Sequence, residues 1–167
     1  AAGSYGTLLT SSDNGTTWTS RTSGTAYGIN QVTYGNGTFV AVGNYGTLLT
    51  SSDNGTTWTS RTANLQHVQG ITYAKSTFVA VGGNGTLTSN DGITWTKGTC
   101  CAEHWLWAVT YGNGTFVTVS HQGTIYTSPD GTTWTSRTYA GTAWALARVT
   151  FGNGTFVAVG QRGTILT

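Results

Sequence analysis

The chain repeats itself. Tyr5–Thr22 reads YGTLLTSSDNGTTWTSRT, and the same run returns unchanged as Tyr45–Thr62. Degenerate copies follow as GTLTSNDGITWTKGT from Gly85 and GTIYTSPDGTTWTSRT from Gly123. A second element alternates with the first: VTYGNGTFVAVG from Val32, ITYAKSTFVAVG from Ile71, VTYGNGTFVTVS from Val109 and VTFGNGTFVAVG from Val149. Successive copies of both elements start roughly 40 residues apart, a nearly constant period that marks one supersecondary unit copied several times. Each copy of such a unit needs its neighbours for cover.

Within one copy four runs read as strands: a (Gln31–Tyr34), b (Thr38–Gly43), c (Gly46–Ser51) and d (Thr57–Thr62). Asn36-Gly37 between a and b, and Asp53-Asn54-Gly55 between c and d, supply the positive φ of tight hairpins. In strand b, Phe39 and Ala41 point one way and Val40 and Val42 the other. Both faces are apolar, so the strand is sandwiched between layers. Strand d alternates Trp58 with threonines and carries Arg61, so it is half exposed. Abundant Gly, Thr and Ser with 7 Trp and 8 Tyr mark an ordered all-β chain. Scarce Lys and Glu argue against helices. A four-stranded sheet of about 40 residues, stable only when stacked on copies of itself, is a propeller blade. The expected fold is an all-β propeller of four-stranded antiparallel blades, about four per chain. A β-solenoid uses shorter repeats and ranks well behind. The parts are strands c–d at 5–22, blades at 29–62, 68–98 and 106–138, and strands a–b–c at 146–167, all in one unit spanning 1–167.

The c–d turn resembles the Asp-box, or BNR repeat, of pattern S-x-D-x-G-x-T-W. Ser11, Asp13, Gly15, Thr17 and Trp18 match it, as do Ser51, Asp53, Gly55, Thr57 and Trp58. Two later copies have a turn shorter by one position: Ser89, Asp91, Gly92, Thr94, Trp95, and Ser128, Asp130, Gly131, Thr133, Trp134. The family includes sialidases, photosystem assembly factors, sorting receptors and bacterial surface proteins. The resemblance implies a fold, not an activity. It also implies that the box is a folding element: Asp bonds turn amides, Gly takes the left-handed position, and Trp packs between blades.

The sialidase likeness raises a glycosidase reading, which the residue inventory opposes. Most glycosidases need two carboxyl groups at the scissile bond, and sialidases need a Tyr–Glu pair, an Asp and three Arg. This chain has 5 acidic residues. Asp13, Asp53, Asp91 and Asp130 are held in the boxes, leaving Glu103. Arg21, Arg61 and Arg137 share one repeat position on different blade rims, and only Arg148 and Arg162 lie outside it. No enzyme is expected. His67, His104 and His121 sit in loops of separate repeats without metal-ligand spacing, so neither metal nor cofactor is expected. A formal charge of +2 with 7% charged residues lacks a nucleic-acid footprint. No apolar run suits membrane insertion. The chain opens without Met or a basic-apolar leader, which reads as a processed or trimmed chain.

Turns a–b and c–d share one end of each blade and scarcely vary. The b–c turns and d–a loops share the other end, and there the copies differ. Variable positions include Tyr27, Asn30, Tyr45, His67, Gln69, Trp105, Trp107, His121, Gln122, Tyr139, Trp144, Arg148 and Arg162. Rigid aromatics beside amide and guanidinium donors suit a glycan or a protein ligand. A fixed frame carrying variable loops is a common binding surface. Loop drift, with the tryptophans merely packing over blade tops, is the alternative. Cys100 and Cys101 are read as free thiols, since adjacent Cα atoms fall below the usual disulfide range. The Asn-Gly-Thr turns spell glycosylation sequons that hairpin geometry already explains.

The strand order runs c–d, three full blades, then a–b–c, so the chain is expected to begin and end in strand c. Pairing the last a and b with the first c and d would close a ring. One chain closes four blades, and two chains share eight; the homodimer is preferred. The expected role is a non-catalytic, lectin-like recognition or scaffold module, extracellular or on the cell surface. The alternative is a purely structural propeller, amplified or engineered.

Overall fold

The computed structural model describes residues 1–101, 103–137, 139 and 144–167. All regular strand pairing in it is antiparallel and local. The first sheet holds β1 (Leu8–Thr10) and β2 (Thr19–Arg21). The second holds β3 (Ile29–Gly35), β4 (Thr38–Gly43), β5 (Leu48–Ser51) and β6 (Thr59–Ser60). The third holds β7 (Val68–Ala74), β8 (Thr77–Gly82), β9 (Gly85–Ser89) and β10 (Thr96–Lys97). The fourth holds β11 (Leu106–Gly112), β12 (Thr115–Ser120), β13 (Ile125–Ser128) and β14 (Thr135–Arg137). The fifth holds β15 (Leu146–Gly152), β16 (Thr155–Gly160) and β17 (Ile165–Leu166). Inner strands β3, β7, β11 and β15 lie side by side in that order, so the sheets stack as blades around one side.

Strand b is covered on both faces, as its alternation requires. Phe78 and Ala80 pack toward the second sheet with Val40 and Val42, and all four are fully buried. Val79 and Val81 pack toward the fourth sheet with Leu106 and Phe116. Each layer of core therefore lies between two blades rather than within one, and no blade buries it alone.

A knob-and-socket contact sets the blade spacing along the inner strands. A Cβ on Gly35 would stand 2.1 Å from Tyr73 Cγ, and one on Gly112 2.1 Å from Phe151 Cγ. The ring of each blade thus lies on the bare backbone of the one before. Ala74 holds this position in the third sheet and packs in the same cluster as Tyr111.

Three boundaries differ from the sequence expectation. Strand d shrinks to Thr59–Ser60 in the second sheet, because the Thr57 N–H is held by the Asp53 carboxylate and the backbone joins the ladder late. Strand c starts at Leu48, because Tyr45 and Gly46 take φ of 53° and 72°. The first residues belong to strand b rather than strand c. The Leu9 N–H donates to Ala1 O at 2.9 Å, and Ala2 bridges Leu8.

Candidate recognition face

The two ends of the blades are built differently. At one end the four Asp turns are alike. The Gly15, Gly55, Gly92 and Gly131 N–H groups donate to Ser11, Ser51, Ser89 and Ser128 Oγ at 2.9, 3.0, 2.8 and 2.8 Å. The Asp13 and Asp53 carboxylates accept from the Thr17 and Thr57 hydroxyls, each at 2.6 Å, and from their N–H groups. Asp91 and Asp130 accept from the N–H groups of Thr94 and Thr133 at 2.8 and 3.0 Å. These donors favour the ionised form. The Thr17 hydroxyl is the largest cause at Asp13, which falls from 3.8 to about 2, and the Thr133 N–H at Asp130, which also falls to about 2. Asp53 and Asp91 are lowered too, chiefly by the Thr57 hydroxyl and the Thr94 N–H. Each indole N–H (Trp18, Trp58, Trp95, Trp134) donates to its own turn Gly carbonyl at 2.9–3.0 Å. Four carboxylates are thereby held as structural acceptors.

Trp58, Trp95 and Trp134 are half-buried against a neighbouring sheet. Trp18, on the first sheet, departs from the expected packing between blades and stands exposed.

At the other end, each b–c turn is tied to a d–a loop. Asn44 N–H donates to Gly28 O, Gly83 to His67 O, His121 to Trp105 O and Gln161 to Ala145 O, at 2.8–2.9 Å. The inner strands then enter the sheet through a bulge. Register slips between Ile29 and Gln31, Val68 and Gly70, Leu106 and Ala108, and Leu146 and Arg148. The extra residues are Asn30, Gln69, Trp107 and Ala147. A bulge re-aims the side chain it carries. The sequence held the signal: Ile29 and Val32 pack in one cluster, as do Val68 and Ile71, at a spacing of three where a regular strand needs two.

A continuous file of rings crosses this end. Tyr27 and Tyr45 centroids lie 4.6 Å apart, Tyr45 and His67 5.0 Å, and His67 and Trp105 5.5 Å. The file runs from the second blade through the third to the fourth. Tyr27, Tyr45 and Trp105 are exposed at 50%, 69% and 42%. Tyr45 holds its ring out from a left-handed backbone (φ 53°), a conformation costing a non-glycine residue about 1–2 kcal/mol. A second pair stacks Trp107 on His121 at 6.2 Å, and a third sets the Arg162 guanidinium 3.8 Å over Trp144. Gln122 is exposed beside His121.

Not every expected residue stands free for a ligand. Asn30 Nδ2 donates to Val68 O at 3.0 Å and Gln69 Oε1 at 3.3 Å, clamping the second blade to the third. Arg148 donates to its neighbour Ala147 O at 2.8 Å. Tyr139 lies between residues 138 and 140, which with 141–143 fall outside the described residues. His67 and His104 are half-buried rather than freely exposed, His104 Nδ1 bonding the Tyr126 hydroxyl. That pair was not legible, since its members come from separate runs of the repeat. Burial raises the Tyr126 hydroxyl, keeping it protonated. Cys100 and Cys101, read as free thiols, place their sulfurs against each other. The positive φ of Cys101 (66°) bends the chain so that the two sulfurs meet. Glu103 is exposed in the same loop.

No family model matches the chain, and no curated protein matches it. Solved structures do. The computationally designed Ika4 protein superposes with a TM-score of 0.68 at 14% identity, over 83% of this chain and 88% of that one. YCF48 bound to D1 peptide gives 0.64 at 21% identity, over 80% of this chain and 47% of that one. Virginiamycin B lyase from Staphylococcus aureus gives 0.72 at 12% identity, over 99% of this chain and 63% of that one. The chain thus spans about half to two thirds of the two natural proteins. These likenesses concern the fold, and with the stacked four-stranded sheets they establish this chain as an all-β protein of propeller blades.

Proposed function

We propose that the chain is a non-catalytic recognition module built from Asp-box repeats, and that it binds a neutral glycan along the ring file Tyr27–Tyr45–His67–Trp105. The file itself carries this reading. Exposed rings offer flat apolar contact at low entropic loss, and their polar tips can hydrogen-bond hydroxyls. The face carries few charges, which suits an uncharged ligand better than an ionic one. The acids are held in the boxes, so a pair of free carboxylates for glycosyl transfer is missing from the composition. Four turns with one Ser–Asp–Thr bonding scheme support the Asp-box assignment. A glycan reader suits an extracellular or cell-surface setting.

Glycan-array binding of the intact chain and of Tyr45→Ala and Trp105→Ala tests the reading. Retention of at least one neutral glycan is expected, with at least a ten-fold loss in both variants. Absence of glycan binding, or binding indifferent to both changes, refutes it and leaves the structural propeller.

A further inference from the structure

The junctions between the full blades reuse the same parts. A strand-a ring sits on the Gly or Ala of the preceding blade: Tyr73 on Gly35, Phe151 on Gly112. An Asp-turn glycine meets a strand-b valine of that preceding blade: the Cβ site of Gly92 lies 2.9 Å from Val40 Cγ2, and that of Gly131 lies 2.5 Å from Val79 Cγ2.

At the ends of the series these parts stand unmatched, and the deficits are complementary. Gly152 repeats the position of Gly35 and Gly112, yet no described residue lies within 4 Å of its Cβ site. Tyr34 repeats the position of Tyr73 and Phe151, yet it is 55% exposed. One end is a socket without its ring, and the other is a ring without its socket. The strands match in the same way. The first sheet has c, d and only Ala1, Ala2 and Gly3, the last three residues of b; the fifth has a, b and two residues of c. Where the rest of strand b would lie beside β1 there is an apolar slot of about 200 Å³, lined by Leu8, Leu9, Trp18, Phe39 and Trp58 among others.

We propose that two copies of this chain close head to tail into one ring, each copy's β15–β16 supplying strands a and b to the other copy's β1–β2. In the register of β4 and β5, β16 places Val157 opposite Thr10, Ala158 opposite Leu9 and Val159 opposite Leu8. The full ladder replaces two short pairings, Ala1–Ala2 on β1 and β17 on β16. Tyr34 of one copy then lies on Gly152 of the other, and Val157 of one meets Gly55 of the other. Three intact sheets and one shared sheet per chain make a ring of eight blades. Closure covers both open edges at once, which favours a closed pair over an open polymer. This proposal is independent of the glycan reading.

Light scattering after size exclusion, at about 10 μM, tests it on the full chain and on Gly152→Val and Tyr34→Ala. The expected wild-type mass is twice the 17.5 kDa of one chain. Gly152→Val fills the socket with no described residue of the single chain within 4 Å of the new Cβ, and Tyr34→Ala removes the ring, so both should run at the single-chain mass with unchanged far-UV circular dichroism. A wild-type mass of one chain, or of three or more, overturns the proposal. A two-chain mass that persists in both variants also overturns it. If Gly152→Val loses its β spectrum, Tyr34→Ala decides alone.

Discussion

If core lies between blades rather than within them, neighbouring residues of one strand must both be costly to truncate. β8 offers the test, because Phe78 and Val79 are each 0% exposed and face opposite sheets. Phe78 lies against Tyr73 at 4.5 Å between ring centroids and against Trp95 at 6.3 Å. Removing its ring loses the transfer energy of a buried aromatic and leaves a cavity among side chains that cannot collapse. Phe78→Ala should cost about 3–5 kcal/mol. Val79→Ala removes two methyl groups at roughly 0.8 kcal/mol each, plus a smaller cavity, for about 2 kcal/mol. Against a total of about 5–15 kcal/mol these are large losses. In a chain of this size each kcal/mol lowers Tm by about 2–4 °C. Urea unfolding followed by tryptophan fluorescence, with thermal melts by circular dichroism, measures both. The refuting result is a large loss at Phe78 beside a loss at Val79 no bigger than a surface substitution gives, about 0.5 kcal/mol. Such a sheet would be covered on one face only, and the stacked-blade account would fail.

Three further outcomes follow from particular contacts. Gly112→Val would drive a branched side chain into Phe151, and overpacking of this kind costs about 1–3 kcal/mol; an unchanged urea midpoint would show that the ring does not sit on Gly112. Asn30→Ala removes the amide clamp to Val68 O and Gln69 Oε1, at about 1 kcal/mol for a partly exposed bond; urea unfolding should register the loss while glycan retention is preserved, and lost retention at full stability would make Asn30 a ligand contact instead. The Asp turns set an acid limit. Their folded carboxylates titrate below the ordinary 3.8, Asp13 and Asp130 at about 2, so the turns contribute stability above about pH 4 that disappears as pH falls toward 2. Melts from pH 7 to 2 should show Tm falling mainly below pH 4, less steeply in Asp130→Asn, and a Tm that holds to pH 2 would contradict the bonding scheme.

Much of this architecture was legible because its causes are short-range. The alternation of Phe39 and Ala41 against Val40 and Val42 requires cover on two faces, and the regular repeat names the neighbour as another copy. Ser11, Asp13 and Thr17 close their hairpin within a short local span, so the bonding could be read from the pattern. The end of the blade that varies was legible as well, since antiparallel strands sort their turns into two sets. The ring file was not. Tyr27, Tyr45, His67 and Trp105 come from three repeats, and only the stacking of sheets brings their centroids within 5.5 Å of one another in succession. The same stacking carries the Asn30 amide across to the next blade as a clamp and leaves Gly152 and Tyr34 unmatched at opposite ends. Sequence periodicity fixes which face of a strand is apolar; the distance and angle at which one sheet meets the next decide which side chains share a surface, and those depend on packing summed over both sheets.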